Sequence, residues 1–346
     1  MFKTLIVSPS GNFYGSEQVL YNFLNNSAKT YEVYVPYDSI FWNKLMSING
    51  HKISTFKSVK LLYLKLFFKF LLGNYHSFYL NEGGHIKYAK VLAGFFKDIQ
   101  FFVHIRLVED TAANRIGELP SNLRLLSISN YISGFLNGYR FIEFYDPLDV
   151  LAITESETQP KPTAFRVGVI GRVSQTKGLK YYDQFFEFIG NSPFEHPVSF
   201  QFYGDVPLED SESARFFKRW KDQTDVQIEF KGFVFDQSLI YQGIQMVIHL
   251  NPSEPLGRVG LESWARGIPF VGFDEGGVGE INRRLAMDSY SIALNSNWPS
   301  VLKEKIELVM TKMDENDSAT AKDGVSNYFG ISKYVCTLED LLSNRN

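Results

Sequence analysis

Cysteine and closely paired acidic residues are scarce in this sequence. Cys336 is its only cysteine, which excludes an intramolecular disulfide and a zinc site built mainly from cysteines. No Asp-x-Asp pair occurs, although enzymes that hold a diphosphate through a divalent metal usually need clustered carboxylates. The first absence is typical of a reducing cytoplasm, and the second favours diphosphate binding without a metal.

An excess of one charge and long apolar runs are also lacking. Lys and Arg total 35 against 38 Asp and Glu, which argues against a general nucleic-acid binder. No stretch has the length of a charge-free membrane span, and the N-terminus enters a strand pattern without the features of a signal peptide. Hydrophobic residues nevertheless make up 45% of the 346 residues. Composition and length therefore predict a cytoplasmic globular protein of two domains.

Short apolar segments alternate with helical patterns along the whole chain. Strands are predicted at 4–8, 31–35, 53–56, 78–80, 99–103, 123–128, 141–145, 165–170, 199–203, 226–230, 246–249 and 270–273. Such alternation is typical of doubly wound parallel α/β sheets. Residues 151–163 have few large apolar side chains and predict a linker. We therefore predict two Rossmann-like domains at 1–155 and 164–330, and a C-terminal helix at 331–346 that packs back on the first domain.

The stretch from His249 to Glu262 predicts a strand end, a polar turn and a helix in succession. Pro255 prevents an immediate helix, and Gly257 opens a helical pattern. The first amides of such a helix have no partners within it and form an anion site. These amides belong to Gly257, Arg258 and Val259. A phosphate is the expected occupant.

Two carboxylates and two cations surround this predicted anion site. Glu254 precedes the helix and Glu262 lies within it, and both are suited to bind hydroxyl groups. Arg172 and Lys177 share a loop after the strand predicted at 165–170. Each cation alone is most simply interpreted as a solvated loop residue, but the two together are suited to bind a diphosphate. The combination predicts a nucleotide-sugar site, with a hydroxylated group at each end of the diphosphate.

Two features of the first half are less specific. Gly11 and Gly15 do not match the dinucleotide fingerprint G-x-G-x-x-G, so a dehydrogenase is disfavoured and an ordinary βα turn is the simpler interpretation. His104 follows the strand predicted at 99–103, where open α/β sheets bind ligands. A histidine in such a position is more often a satisfied core or edge group.

Residues 57–73 predict a basic helix that is apolar on nearly all sides. One face contains Leu62, Tyr63, Leu66, Phe67 and Phe70. The opposite face contains Lys57, Lys60, Lys65 and Lys69 together with Leu61, Leu64 and Phe68. Such a helix suits an anionic membrane surface. It equally suits a domain helix whose lysines extend over neighbouring helices, which is the interpretation that we favour.

The second half resembles the retaining nucleotide-sugar glycosyltransferases of family 4, which have the two-domain GT-B fold. The motifs that carry this resemblance follow the family's order. They are Gly171-Arg172-Val173, Lys177-Gly178, Phe202-Tyr203-Gly204-Asp205, Phe230-Lys231-Gly232-Phe233-Val234, Ser253-Glu254, Gly257, Glu262, Arg266-Gly267-Ile268-Pro269, Gly276-Gly277 and Glu280. The first half matches more loosely, through Gly11, Gly15-Ser16-Glu17 and His104. The aromatic residue usual near Gly257 is missing, and Arg258 adds a cation there.

The resemblance implies a role for each matching residue. Glu254 is expected to contact hydroxyls of the donor sugar, Glu262 the ribose hydroxyls, and Arg172 and Lys177 the diphosphate. His104 is expected near the transferred sugar. The remaining expected nucleotide contacts are Gly15, Gly232, Phe233, Leu256, Gly257, Arg258 and Val259.

These roles predict a metal-independent glycosyltransferase without a cofactor. It would move a sugar from a UDP- or GDP-sugar to a hydroxyl of a glycan or lipid-linked acceptor, with retention, in surface polysaccharide or glycan synthesis. The two domains are expected to face each other across a cleft, with the acceptor half at 11–17 and 104–106. Peripheral association with the inner face of the membrane through 57–73 is a further hypothesis. The alternatives are an epimerase or phosphorylase on the same fold, and a non-catalytic sugar-nucleotide-binding protein.

Overall fold

The computed structural model describes residues 4–150, 164–223, 226–234, 236–311 and 315–343. The linker predicted at 151–163 lies outside these residues. The chain divides into two compact units. The first contains the residues up to Asp149 and those from Phe329 onwards, and the second extends from Val150 to Tyr328.

The first unit is built on a seven-stranded parallel sheet of order β3-β2-β1-β4-β5-β6-β7. The strands are β1 (Thr4–Val7), β2 (Glu32–Pro36), β3 (Lys52–Phe56), β4 (Ser77–Leu80), β5 (Gln100–Ile105), β6 (Leu123–Ser127) and β7 (Phe141–Glu143). The helices are α1 (Gly15–Asn26), α2 (Ile40–Leu45), α3 (Val59–Leu72), α4 (Ile86–Phe95), α5 (Ala113–Ile116) and α6 (Asn130–Ser133). Every residue of β1 and β4 is buried, as expected for parallel strands that are covered on both faces.

The second unit is built on a six-stranded parallel sheet of order β10-β9-β8-β11-β12-β13. The strands are β8 (Phe165–Ile170), β9 (Val198–Tyr203), β10 (Gln227–Gly232), β11 (Met246–His249), β12 (Phe270–Phe273) and β13 (Ser291–Ile292). The helices are α7 (Leu179–Asn191), α8 (Ser211–Trp220), α9 (Gln237–Tyr241), α10 (Arg258–Ala265), α11 (Gly276–Arg284), α12 (Trp298–Thr311) and α13 (Glu315–Phe329). The two parallel sheets confirm the predicted α/β class, and each predicted strand ends within two residues of the observed one.

The last helix, α14 (Ile331–Ser343), belongs to the first unit. Its apolar face contains Leu338 and Leu342, which are buried in the core that also holds residues of α1. The hydroxyl of Ser77 in β4 donates to the carbonyl of Leu342 at 2.7 Å. The chain therefore returns to its first sheet after completing the second unit.

The region between α12 and α14 is helical where its composition indicates a turn. The charged residues at 314–317 predict an exposed turn, but Glu315 begins α13, while Asp314 lies outside the described residues. Ala321, Val325 and Phe329 are buried at successive spacings of four. This spacing is helical, yet the small alanine makes the apolar pattern weak.

Each sheet has a point at which the strand order reverses. The reversal lies between β1 and β4 in the first unit and between β8 and β11 in the second. Ligands of open α/β sheets bind beyond the carboxyl ends of the strands at such a point. In the second unit, the loops there are 171–178 and 250–257, which contain the predicted diphosphate and sugar contacts.

Candidate active site

The loops after β8 and β9 in the second unit are each joined by a backbone hydrogen bond to the carboxyl end of the neighbouring strand. The amide of Gly171 donates to the carbonyl of Tyr203, and that of Gly204 donates to Gly232, both at 2.9 Å. A Cβ at Gly204 would overlap the carbonyl oxygen of Gly171. Gly204 of the sequence motif is therefore needed for close contact with the loop after β8.

Gly178 joins the loop after β8 to the loop after β11. It has a left-handed φ of 81° at the start of α7, and a Cβ there would overlap the carbonyl oxygen of Leu250. The side-chain amide of Asn251 donates to the carbonyl of Thr176 at 2.9 Å. This packing brings Lys177 next to Glu254.

The Glu254 carboxylate is buried and held by three donors. Lys177 Nζ lies 2.8 and 2.9 Å from its two oxygens, and Oε2 also accepts from His249 Nε2 at 3.1 Å and Asn251 Nδ2 at 2.9 Å. Burial alone would raise the pKa of Glu254, but the hydrogen bond from His249 and the charge of Lys177 hold it well below its usual range. The group is therefore an ionised acceptor for hydroxyl protons.

Glu262 is a second buried carboxylate, on α10. Its Oε2 accepts from Tyr241 Oη at 2.9 Å, and its Oε1 lies 3.8 Å from Arg258 Nη2. Gly257 precedes α10 with a left-handed φ of 78°, so the helix begins one residue after the predicted opening. Glu254 and Glu262 thus lie before and within the same helix, as their spacing predicts.

The other predicted contacts of this unit differ in exposure. The side chain of Arg172 is exposed and makes no ion pair within the described ranges, but it lines one shallow depression with Lys177 and His249. Phe233 is 51% exposed, whereas the side chain of Leu256 is buried. Phe233 is therefore accessible to solvent over half of its surface, and Leu256 is part of the core.

The first turn of α11 packs against the backbone of the loop that contains Glu254. The amide of Gly277 donates to the carbonyl of Glu254 at 2.7 Å, and a Cβ there would overlap the backbone of Leu256. The Gly276-Gly277 pair of the sequence motif is thus a packing requirement.

Sequence reasoning assigned no site role to His249, Asn251 or Tyr241. The first two could have been found, because His249 ends β11 and Asn251 follows in the same turn as Glu254, five and three residues before it. Tyr241 leaves no such signal, since its contact with Glu262 depends on how α9 packs.

His104 is a core residue of the first unit and lies within β5, not after it. It has no exposed surface, and its ring nitrogens lie 2.8 Å from Tyr79 Oη and 3.3 Å from the carbonyl of Phe144. Burial and the charge of Arg106 lower the pKa of His104 to about 3, so the ring is neutral. The sugar contact predicted for His104 has no exposed atom through which it could be made.

Arg106 completes this buried network. Its guanidinium donates to the Asp146 carboxylate over 2.9 to 3.2 Å. The 104–106 segment is therefore buried at both of its polar positions, which argues against its predicted part in an acceptor surface.

Two carboxyl groups meet where the strand order of the first sheet reverses. Gly15 begins α1 after β1, and Glu17 in its first turn accepts from the amide of Tyr14 at 3.0 Å. Glu82 follows β4 and lies against Glu17. Burial and the Glu17 carboxylate raise the pKa of Glu82 to about 8. Arg106 opposes this shift and Asp110 adds to it.

Because the pKa of Glu82 is raised in the folded protein, the free energy of unfolding should fall as the pH rises. In the unfolded chain this carboxyl ionises near 4.5, and in the folded chain near 8, so the folded state binds the extra proton between these values. The expected loss is a few kcal/mol across that window, at up to about 1.4 kcal/mol per pH unit. Urea melts at several pH values should show this slope reduced in Glu82→Gln. The exposed control Glu118→Gln should keep the wild-type slope, and an unchanged slope in Glu82→Gln would contradict the assignment.

Residues 164–311 match the family model described as glycosyl transferases group 1. Anabaena Alr3699/HepE in complex with UDP has a TM-score of 0.77 at 18% identity, covering 99% of this chain and 100% of that one. A glycosyltransferase from Rickettsia africae ESF-5 has a TM-score of 0.78 at 13% identity, covering 99% and 98%.

A third similar structure is the apo form of the lipopolysaccharide outer core galactosyltransferase WaaB. Its TM-score is 0.71 at 13% identity, with 98% of each chain covered. No curated relative matches the chain in sequence. The family match confirms the predicted resemblance to glycosyltransferases, and these structures confirm the two-domain fold.

Proposed function

We propose that the protein is a retaining glycosyltransferase of the family 4 type, which the match of residues 164–311 to the family model of glycosyl transferases group 1 supports. It transfers a sugar from a nucleoside diphosphate to an acceptor hydroxyl. The observation that carries the proposal is the ionised Glu254, held by Lys177 where the strand order of the second sheet reverses.

In this proposal each end of the donor has its own carboxylate. Glu254 accepts hydrogen bonds from sugar hydroxyls and Glu262 from the ribose. Lys177, Arg172 and the first amides of α10 neutralise the diphosphate between them. The exposed ring of Phe233 provides a surface on which the base can stack. UDP is the first candidate, because Anabaena HepE is described in complex with UDP and with UDP-glucose.

The proposed reaction takes place on one face of the sugar. The acceptor oxygen forms a bond to the anomeric carbon while the bond from that carbon to the diphosphate breaks. The diphosphate leaves with the electron pair and takes up the proton of the acceptor hydroxyl. Lys177 and Arg172 stabilise the charge that develops on the leaving group. The proposal needs no metal, since these cations supply the neutralising charge.

A donor screen tests this function. Thermal shift with UDP and GDP identifies the base, and the matching nucleotide sugars are then incubated with chelator, with and without glycan acceptors. Nucleotide release that depends on the acceptor and persists in chelator is the expected result. A modified sugar nucleotide formed without acceptor would indicate an epimerase. Binding without any turnover would indicate a binding protein, and a strict need for magnesium or manganese would contradict the metal-free cradle.

An exposed apolar surface on the first unit is relevant to the kind of acceptor that the protein uses. Leu62, Tyr63, Leu66 and Phe70 of α3 are buried, while the other side of this helix and its neighbour α4 form what we call the α3 patch. The α3 patch consists of Leu61, Leu64, Phe68, Leu71, Leu72 and Phe95, each more than half exposed. No helix among the described ranges is long and apolar enough to cross a membrane.

We propose that the α3 patch contacts an anionic membrane surface on the cytoplasmic side, where the acceptor is lipid-linked. Lys60 and Lys65 are exposed beside the patch and supply positive charge. Lys69 contributes less than its sequence position suggests, because its ammonium is paired with Glu32 at 2.7 Å. Lys57 is exposed and lies 4.6 Å from the ring centroid of Tyr37.

Sedimentation with vesicles tests this association. Anionic vesicles at low salt should bind several-fold more protein than neutral ones, because each lysine near the surface contributes up to about 1 kcal/mol. Replacing Leu64 and Phe68 with serine should reduce binding. Leu308→Ser, an equally exposed leucine on α12, is the matched control. Equal and negligible binding to both vesicles would leave α3 a purely structural helix.

A further inference from the structure

Tyr241 is fully buried beside the carboxylate that we assign to the ribose. Its hydroxyl donates to Glu262 Oε2 at 2.9 Å, and its side chain is 1% exposed. The guanidinium of Arg266 lies 4.1 Å from the centre of its ring and donates to the backbone carbonyl of Glu262 at 2.8 Å. Tyr241 is thus in contact with the guanidinium of Arg266 through its ring and with one oxygen of Glu262 through its hydroxyl.

This arrangement leaves the two oxygens of Glu262 in different surroundings. Oε2 is occupied by a neutral donor that burial and the Glu262 charge keep protonated, because they raise the pKa of Tyr241 well above its usual value. Oε1 has a cation at 3.8 Å, beyond the range of a normal hydrogen bond. The carboxylate is therefore fixed through one oxygen, and the other retains acceptor capacity.

We propose that Tyr241 is a positioning residue, which fixes Glu262 so that the site prefers ribonucleoside over 2′-deoxyribonucleoside diphosphates. The inference rests on the proposed function, since it needs Glu262 to bind the ribose. A carboxylate held in one orientation can distinguish a sugar with two adjacent hydroxyls from one with a single hydroxyl. A freely rotating carboxylate loses part of this discrimination, because it must be ordered on binding.

The preference is measured as the ratio of the Kd values of 2′-deoxy-UDP and UDP. If GDP gives the larger thermal shift, the guanine pair replaces these probes. Tyr241→Phe removes one hydroxyl and should weaken UDP binding about tenfold while changing 2′-deoxy-UDP binding much less. The KM for the donor should rise in parallel, with kcat at saturating donor unchanged. A general loss of structure would lower kcat and both affinities together.

The variant Glu262→Gln separates failure of this inference from failure of the proposed site. In Glu262→Gln we expect the ratio of the 2′-deoxy-UDP and UDP Kd values to approach one. The double variant with Tyr241→Phe should have the same ratio as Glu262→Gln alone. If Glu262→Gln keeps the wild-type ratio, Glu262 does not bind the ribose, and the inference about Tyr241 is then also wrong. If Glu262→Gln loses the ratio but Tyr241→Phe keeps it, Tyr241 alone is wrongly assigned.

Two further variants serve as controls for effects of the substitutions on folding. Tyr63→Phe removes a buried hydroxyl of the first unit that has no hydrogen-bond partner among the described residues, and it should keep the wild-type ratio. Arg266→Lys retains the charge but loses the planar group over Tyr241, so it should lower the ratio partly. Should Tyr241→Phe fail to fold, an unchanged ratio in Arg266→Lys would overturn the proposal.

Discussion

Replacement of Lys177 by alanine should slow sugar transfer about 10²-fold, the effect typical of removing one electrostatic stabiliser from an active site. The ammonium group lies within 2.9 Å of both Glu254 oxygens, so it is already at the place where sugar and diphosphate are proposed to meet. Steady-state kinetics at saturating donor measures the effect. Arg172→Ala should act in the same direction.

Lys180→Ala is the matched control for Lys177→Ala. Lys180 lies three residues further along, and its ammonium is 4.7 Å from the ring centroid of Tyr181. Its removal should leave transfer unchanged. A rate for Lys177→Ala close to that of the wild type, in a protein that melts normally, would remove Lys177 from the reaction.

Glu254→Gln should separate catalysis from nucleotide binding. We expect transfer to fall about 10²- to 10³-fold, because the charged acceptor for the sugar hydroxyls is lost. The same change frees Lys177 from its ion pair. Calorimetry with the free nucleoside diphosphate should therefore show affinity that is unchanged or higher, since the diphosphate no longer competes with a carboxylate for the ammonium.

The nearby exposed Glu275 provides the control for this variant, because it precedes α11 outside the cluster. Glu275→Gln should affect neither quantity. A parallel loss of nucleotide affinity and rate in Glu254→Gln would contradict the assignment of Glu254 to the sugar. It would instead place this carboxylate among the groups that bind the nucleotide.

The local structure around Glu254 and Glu262 was largely predictable because these residues lie in a short segment with fixed spacing. The turn from His249 to Gly257 and the helix after it follow from proline and glycine positions alone. The ion pair between Lys177 and Glu254 could not be foreseen, since 77 residues separate the partners. It depends on the close packing of Gly178 against Leu250, which belongs to the folded state.

His104 shows why strand ends mislead. The apolar pattern ends at Val103, which placed His104 in a loop. Pairing with β6 continues to Ile105, and so His104 stays in the sheet beside Leu126. Whether a strand continues is decided by its neighbour's backbone, which no local pattern contains. The two additional residues of strand turn a predicted ligand contact into a core group.

The backbone hydrogen bonds of Gly171 and Gly204 also affect how the proposed donor site opens. The loop beyond β8 is bonded through Gly171 to Tyr203 at the end of β9, and the loop beyond β9 is bonded through Gly204 to Gly232 at the end of β10. Neither loop can move away without breaking its bond, so amide hydrogen exchange at these two glycines should occur as one cooperative event. A loop insertion at either turn should then weaken both contacts, which limits where donor specificity could change by insertion.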